Sequence, residues 1–167
     1  MRRFDVLSNY AYAVLGLAIA ALQRTPTAYA LGAALVNLSI GSALYHATRK
    51  RWAADLDVSA MYALGAALSL RLLPLGDITA AIMLAGAIAA GYLFRFKVPG
   101  KMEHKVGALF TPAFLVPAFF MSDIDAWMAV LALVLFFAAY LARQSGKPWG
   151  HGAWHLLAAA MIGVLAI

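Results

Sequence analysis

The chain has 167 residues, of which 65% are hydrophobic and only 12% are charged, and its mean hydropathy is +0.83. A soluble domain is nearer half apolar and a quarter charged, so this composition excludes a soluble domain of any size and indicates a membrane protein. The net charge is +6, but the basic residues lie in short loops between apolar runs, where they set topology and do not predict nucleic-acid binding. The chain has no cysteine, which excludes disulfides and thiolate metal ligands.

Seven apolar runs follow one another along the chain, each close to the length that crosses a hydrocarbon core of about 30 Å. Proline, glycine and charged residues separate them, and short loops favour antiparallel neighbours in a compact bundle. Pro112 and Pro117 predict a kink in the fifth run. We therefore expect an all-α fold, a single domain over residues 1–167 that forms a seven-helix transmembrane bundle. The runs are Leu7–Gln23, Thr27–Ala47, Ala54–Leu73, Ile78–Phe94, Lys105–Met121, Ala126–Ala142 and Gly150–Ile167.

Lysine and arginine are distributed unequally between alternate loops. Two of the 13 basic residues, Arg24 and Arg71, fall on one side of the predicted bundle. The other eleven fall on the side of the N-terminus: Arg2, Arg3, Arg49, Lys50, Arg51, Arg95, Lys97, Lys101, Lys105, Arg143 and Lys147. By the positive-inside rule, this asymmetry predicts a cytoplasmic N-terminus and a C-terminus on the outside.

Five polar side chains fall in the apolar runs, at one predicted depth. His46 closes the second run, and Ser42 lies one turn deeper on the same helix face. Asp57 lies about one turn inside the third run, while His151 and His155 open the last run at a spacing of i, i+4. Ionisable residues are costly within a membrane and usually functional there. The predicted topology gathers these residues from three helices into one layer near the cytoplasmic leaflet.

The residue types in this layer indicate a catalytic zinc site. Three neutral imidazoles without a thiolate would leave one zinc position open for water, whose pKa zinc lowers to about 7. Asp57 could take the proton of that water and hand it to a leaving group. Ser42 could donate a hydrogen bond to Asp57 or to a developing oxyanion. Alternatively, Asp57 orients a ligating histidine through its second ring nitrogen, and the sequence does not separate these two roles.

Each of these residues also has a simpler interpretation when it is taken alone. A histidine at a helix end is often interfacial, and a serine in an apolar helix often serves close packing. Asp57 could favour the start of its helix through the dipole, and Asp55 is the better candidate for the N-cap of that helix and competes with Asp57 for the functional role. His104, in a basic loop, is expected to be solvated. The shared depth of the five residues favours a metal site over these separate interpretations.

The arrangement Ser42-xxx-His46, then Asp57, then His151-xxx-His155 on the last of seven helices resembles the CREST superfamily. This superfamily unites alkaline ceramidases with progestin and adipoQ receptors and with hemolysin III proteins. The resemblance is closest to the alkaline ceramidase branch. The features that match that branch are the eleven-residue step from His46 to Asp57, Thr48 two residues after the first histidine, and Trp154 before the last one.

The resemblance implies that His46, His151 and His155 bind zinc, that Asp57 works on the zinc-bound water, and that Ser42 lies beside the metal. The implied activity is hydrolysis of an amide bond in a membrane lipid, ceramide or another N-acyl lipid. The chain departs from the family in its shorter loops and lack of extended tails, and no acidic loop cluster for calcium is evident. The sequence leaves the lipid head group, the acyl-chain length and the oligomeric state open.

Two other function classes compete with a hydrolase. In the first, the protein is a receptor-like lipid-binding membrane protein in which zinc is structural. In the second, it is a small transporter with a polar cavity open to both faces, although the outward half of the chain has little polarity. The hydrolase and the receptor differ in whether Asp57 is needed for a chemical step.

Overall fold

The computed structural model describes residues 2–73, 79, 82, 85, 86 and 124–166, and regular structure among them is helical throughout, with no strand. The all-α prediction is confirmed for these residues. Residues 79, 82, 85 and 86 are helical, but the rest of the fourth run, the fifth run with its predicted kink, and His104 lie outside the described residues. The helices are α1 (Arg2–Ser8), α2 (Tyr10–Gln23), α3 (Pro26–Thr48), α4 (Arg51–Leu72), α5 (Ala126–Gln144) and α6 (Gly150–Ala166).

Within residues 2–73 and 124–166, four helical segments are long and apolar enough to cross a membrane. They are Arg3–Gln23, which runs through the junction of α1 and α2, together with α3, α4 and α5. The α6 helix is apolar and has 17 residues, a length of about 26 Å at 1.5 Å per residue. Large apolar side chains such as Leu133, Phe137 and Leu141 cover the exposed surface of α5, as expected of a helix that faces lipid. The chain is a multi-pass integral membrane protein.

Local signals set the bounds of α3. Pro26 occupies its first turn, and the Oγ1 of Thr25 accepts a hydrogen bond from the Ala28 N–H at 3.2 Å, which caps the helix start. At the other end Arg49 adopts a left-handed conformation with a φ of 57°, and its N–H donates to the Tyr45 carbonyl at 2.8 Å. Such a left-handed residue terminates a helix and reverses the chain.

The start of α4 corrects one prediction. Lys50, and not Asp55, is the residue that precedes the helix. Because the left-handed Arg49 and the extended Lys50 turn the chain within two residues, α4 begins at Arg51, ahead of the apolar run, and Asp55 lies in the second turn. The first helix likewise begins earlier than predicted: residues 2–8 are already helical, and Asn9 separates them from α2.

Close backbone approaches hold the helices together. The α3 helix packs along α2 on one side and α4 on the other, whereas α6 packs along α5 and also contacts α1, α2 and α4. A Cβ added at Gly16 on α2 would lie 2.6 Å from the carbonyl oxygen of Gly32 on α3, and the reverse addition gives the same distance. A Cβ at Gly41 would lie 3.1 Å from the backbone of Asp57. Glycine therefore lets van der Waals packing join these helices at short range.

The bundle has two chemically different ends. At one end the carbonyl of Ala166 accepts hydrogen bonds from Gln23 Nε2 at 2.6 Å and from Arg71 Nη2 at 3.4 Å, which joins the ends of α2, α4 and α6. The opposite end carries the short loops between α3 and α4 and between α5 and α6. These two loops, the first residue of α4 and the last turn of α5 hold Arg49, Lys50, Arg51, Arg143 and Lys147.

Candidate metal centre

Three histidines converge at the basic end of the bundle. His46 lies in the last turn of α3, and His151 and His155 lie in the first two turns of α6. The Nε2 atoms of His46 and His151 are 2.8 Å apart. One ring nitrogen from each of the three histidines lies within 4.8 Å of the others. The structure thus brings His46 into contact with His151, which lies 105 residues further along the sequence.

The helical spacing and two close contacts position the pair on α6. Residues at i and i+4 lie on the same helix face, so His151 and His155 point the same way, with ring centroids 4.5 Å apart. Trp154 stacks on His151 at an interplanar angle of 29°. Between the two histidines, Gly152 leaves room for the ring of Phe4, which a Cβ at that position would strike. The α1 helix therefore packs against the first turn of α6, at the glycine between the two histidines.

Each histidine keeps one buried ring nitrogen without a partner among the described residues. These atoms are Nδ1 of His46, Nδ1 of His151 and Nε2 of His155. Because the Nε2 atoms of His46 and His151 face each other, their unpartnered Nδ1 atoms lie on the outer side of the rings, and the convergence of the three rings is what indicates a shared ion. Imidazole nitrogen is a good ligand for zinc and for other first-row transition metals. The donor set fits a metal ion, and this cluster could hold one.

Asp57 and Ser42 line the same cavity as the three histidines. Ser42 is buried on α3 one turn from His46, and its side chain interacts with the Asp57 carboxylate. The close approach of α4 to Gly41 brings the two residues together. Asp55, the competing carboxylate, is not among the described residues that line the cavity.

The cavity has a volume of about 610 Å³ and changes character along its length. Polar and charged groups surround the histidines, including Arg49, whose Cζ lies 5.4 Å from the centroid of the Tyr45 ring. Away from them the lining is almost entirely apolar, formed by Leu38, Leu64, Leu68, Met161 and Ile162. Ligand cavities of small molecules are typically of this size and combine an apolar wall with a few polar groups.

The segment that spans α1 and the start of α2 contributes residues that the sequence interpretation did not assign to the site. Ser8 is buried, and its Oγ lies 2.9 Å from Nδ1 of His155. The ring of Tyr12 packs edge-on to His155 at a centroid distance of 6.0 Å, and Asp5 lines the cavity. Asp5, Ser8, Asn9 and Tyr12 are spaced i, i+3, i+4 and i+7, which is one helix face. That polar stripe was the signal that could have revealed them.

Neither the models of known protein families nor the curated proteins with which the chain was compared gave a match. The resemblance to the CREST superfamily stays a prediction that rests on the motif residues. The geometry independently supplies three imidazoles, a carboxylate and a hydroxyl around one cavity. Such a set can hold a metal ion, orient water and move a proton.

Proposed function

We propose that the chain is a zinc-dependent intramembrane hydrolase that cleaves an amide bond of a membrane lipid, in a bundle of seven transmembrane helices. One observation carries the proposal: three imidazoles that converge within 4.8 Å of one another share a cavity with a carboxylate, a hydroxyl and an apolar wall. A purely structural metal would need no such cavity beside it. Structural zinc sites are closed by four protein ligands, whereas catalytic sites have three.

His46, His151 and His155 would hold the zinc ion. When bound there, zinc polarises a substrate carbonyl and lowers the pKa of water to about 7, which supplies a nucleophile at neutral pH. The three imidazoles must be neutral to act as ligands. The hydrogen bond between the Nε2 atoms of His46 and His151 needs a proton on one of them, so that proton must leave or move to the other ring nitrogen when the metal binds.

Asp57 would carry the proton transfers of the reaction. As general base its carboxylate accepts a proton from the water that attacks the acyl carbonyl, and it then delivers that proton to the leaving amine nitrogen. Ser42 would hold the carboxylate in position by donating its hydroxyl proton to it. Positioned acid–base groups of this kind contribute about 10²- to 10⁴-fold to the rate. The products are a fatty acid and an amine.

The apolar wall of the cavity supports a lipid as the substrate. Side chains such as Leu64, Leu68 and Ile162 offer an acyl chain the same environment as the bilayer interior, and the helices that carry them are themselves membrane-embedded. The amide would then lie at the polar part of the cavity, beside Asp57. An N-acyl lipid such as ceramide satisfies both parts of the site.

The site would face the cytoplasmic leaflet. The histidines lie at the end of the bundle that carries the two basic loops, and Lys and Arg are retained on the cytoplasmic side by the positive-inside rule. This orientation places the N-terminus in the cytoplasm and the C-terminus outside. Access from the inner leaflet is then the route for a lipid substrate.

The test measures metal and products on purified protein in lipid nanodiscs. Elemental analysis is expected to find one zinc per chain, and mass spectrometry is expected to find a fatty acid and its amine from an added N-acyl lipid. Asp57→Asn should lower hydrolysis by about 10²- to 10⁴-fold with zinc retained. Asp55→Asn is the matched control on the same helix and should remain active. A protein without zinc, or an Asp57→Asn variant of full activity, contradicts the proposal.

The same measurements separate the receptor-like alternative. The apolar cavity would hold a lipid equally well without cleaving it. Zinc retention and lipid binding with no product, in wild type and Asp57→Asn alike, would favour a structural zinc and a lipid-binding role.

A further inference from the structure

We propose that Ser8 is a positioning residue that fixes the tautomer of His155, so that its Nε2 carries the lone pair that a metal needs. The inference rests on the metal site of the proposed function and adds to it a group from the N-terminal helix. Ser8 and His155 are 147 residues apart in the sequence, and both are almost completely buried, with exposed fractions of 4% and 1%. Their contact is therefore shielded from water.

The hydrogen bonds of Ser8 give it a direction. Its Oγ lies 2.9 Å from Nδ1 of His155 and 3.1 Å from the backbone carbonyl oxygen of Asp5. A hydroxyl has one proton to donate, and a carbonyl oxygen can only accept. With the proton directed to Asp5, the Oγ accepts from Nδ1–H of His155. A neutral imidazole carries one proton, so Nε2 is left as the acceptor.

The alternative proton placement is less favourable at this position. If Ser8 donated to Nδ1, Nε2 of His155 would carry the proton, and that atom is buried without a partner among the described residues. A buried N–H without an acceptor costs about 1–3 kcal/mol. Since Nδ1 of His155 is occupied by Ser8, Nε2 is the ring nitrogen left for a metal, and a proton on it would block that role. Ser8 thus prepares His155 as a ligand before a metal arrives.

His155 is the only one of the three histidines with a partner on its outer ring nitrogen in the described part of the chain. The Nδ1 atoms of His46 and His151 are buried without one, and the Nε2 atoms of these two residues bond to each other. Outer partners of this kind orient a ligand, and their loss typically lowers metal affinity 10- to 100-fold. Since His155 alone is oriented in advance, the contribution of Ser8 to affinity is not duplicated elsewhere in the described site.

The backbone around Ser8 is itself fixed. Nδ2 of Asn9 donates to the same Asp5 carbonyl at 2.6 Å, and Asn9 is fully buried. The ring of Phe4 rests where Gly152 has no side chain. These contacts hold the last turn of α1 against the first turns of α6, so the Ser8 hydroxyl has little freedom to leave His155.

The experiment compares three variants in detergent. Ser8→Ala removes the hydroxyl, Ser8→Thr restores one, and Ser59→Ala is the matched control. Ser59 is also buried, and its hydroxyl bonds to the Asp55 carbonyl at 2.7 Å, but it does not line the cavity. Zinc affinity is measured by competition with a chelator. The tautomer of His155 in the metal-free protein is read from the ¹⁵N chemical shifts of labelled histidine, assigned with His155→Gln.

We expect the Nδ1–H tautomer in the wild type and in Ser59→Ala, and a mixture of tautomers in Ser8→Ala. Zinc affinity should fall about 10- to 100-fold in Ser8→Ala, return to within about threefold in Ser8→Thr, and stay unchanged in Ser59→Ala. An Nε2–H tautomer in the wild type overturns the inference even if no variant folds, and so does wild-type zinc affinity in Ser8→Ala. A wild type that binds zinc but cleaves no lipid amide overturns the hydrolase and leaves the role of Ser8 standing.

Discussion

Gly16→Ala should destabilise the bundle, because the α2 and α3 backbones touch at this position. The added Cβ would lie 2.6 Å from the Gly32 carbonyl oxygen and 2.9 Å from Cβ of Leu35. Carbon–oxygen contacts settle at about 3.3–3.6 Å, so the two helices must separate by roughly 0.7 Å. The atoms in the way belong to a helix backbone and to the first carbon of a side chain, neither of which can rotate aside.

The expected cost follows from two opposing effects. Overpacking in a close-packed interior costs about 1–3 kcal/mol, and the better helix propensity of alanine returns up to about 1 kcal/mol. Because both contacts are shorter than 3.0 Å, we expect an overpacking cost of about 2–3 kcal/mol, and the net loss of about 1–2 kcal/mol shifts the folding equilibrium about 5- to 30-fold. Gly32→Ala should cost a similar amount. The double variant should cost less than the sum, because one separation of the helices accommodates both methyl groups.

The assay is reversible unfolding of metal-free protein by dodecyl sulfate in mixed micelles, followed by tryptophan fluorescence. Gly163→Ala on α6 is the matched control, since its Cβ would meet only Leu15 at an ordinary contact distance of 3.4 Å. The reasoning is refuted if Gly16→Ala is as stable as the wild type. It is also refuted if Gly163→Ala loses as much stability, because close approach would then not be the cause.

Three further predictions concern the site and its frame. Protein held at a free zinc concentration 1,000 times the dissociation constant should lose about 4 kcal/mol of folding stability when the zinc is chelated. An unfolding midpoint that does not depend on zinc would contradict a site that exists only in the folded state. Gly41→Ala should move the backbone of Asp57 by a few tenths of an ångström, because the added Cβ would lie 3.1 Å from it. We expect kcat to fall about tenfold, while the bound zinc measured by elemental analysis stays constant. A loss of zinc together with kcat would show instead that the whole site had been disrupted. Gln23→Ala should lower the folding stability by about 1 kcal/mol in the same dodecyl sulfate titration, because it removes the 2.6 Å hydrogen bond to the Ala166 carbonyl. An unchanged stability would mean that the hydrogen bond from Arg71 is enough to hold that end of α6.

Helices with strong end signals were predictable from the sequence to within a residue or two. The run Thr27–Ala47 became the helix Pro26–Thr48, because Pro26 starts it and the basic turn after Thr48 ends it. The predicted start of α4 was wrong, because no residue type in the sequence indicates that Arg49 adopts a left-handed conformation. Hydropathy cannot detect a turn whose geometry depends on the packing of the two helices that it joins.

The convergence of the three histidines was predictable from the sequence, but the side chains that contact them were not. His151 and His155 share a helix face by their spacing, and His46 lies at a helix end of matching depth, so their convergence follows from topology. Ser8 was missed for a different reason. Arg2, Arg3 and Asp5 lower the apolar content of the first residues, so the helix was expected to begin at Leu7. In the sequence, polar side chains that line a buried site cannot be distinguished from the polar residues that precede a helix.

The contact between Ser8 and His155 also has a consequence for biosynthesis. Its two residues are separated by 147 positions, which a ribosome needs about 7–30 s to cover at 5–20 residues per second. Until α6 has been synthesised and inserted, the chain contains only His46 of the three histidines. Ser8 then has no His155 ring from which to accept a hydrogen bond. The proposed metal site would therefore form only once Ser8 and α6 are both in place, and a stalled or shortened chain that lacks α6 would lack two of the three histidines proposed to hold the ion.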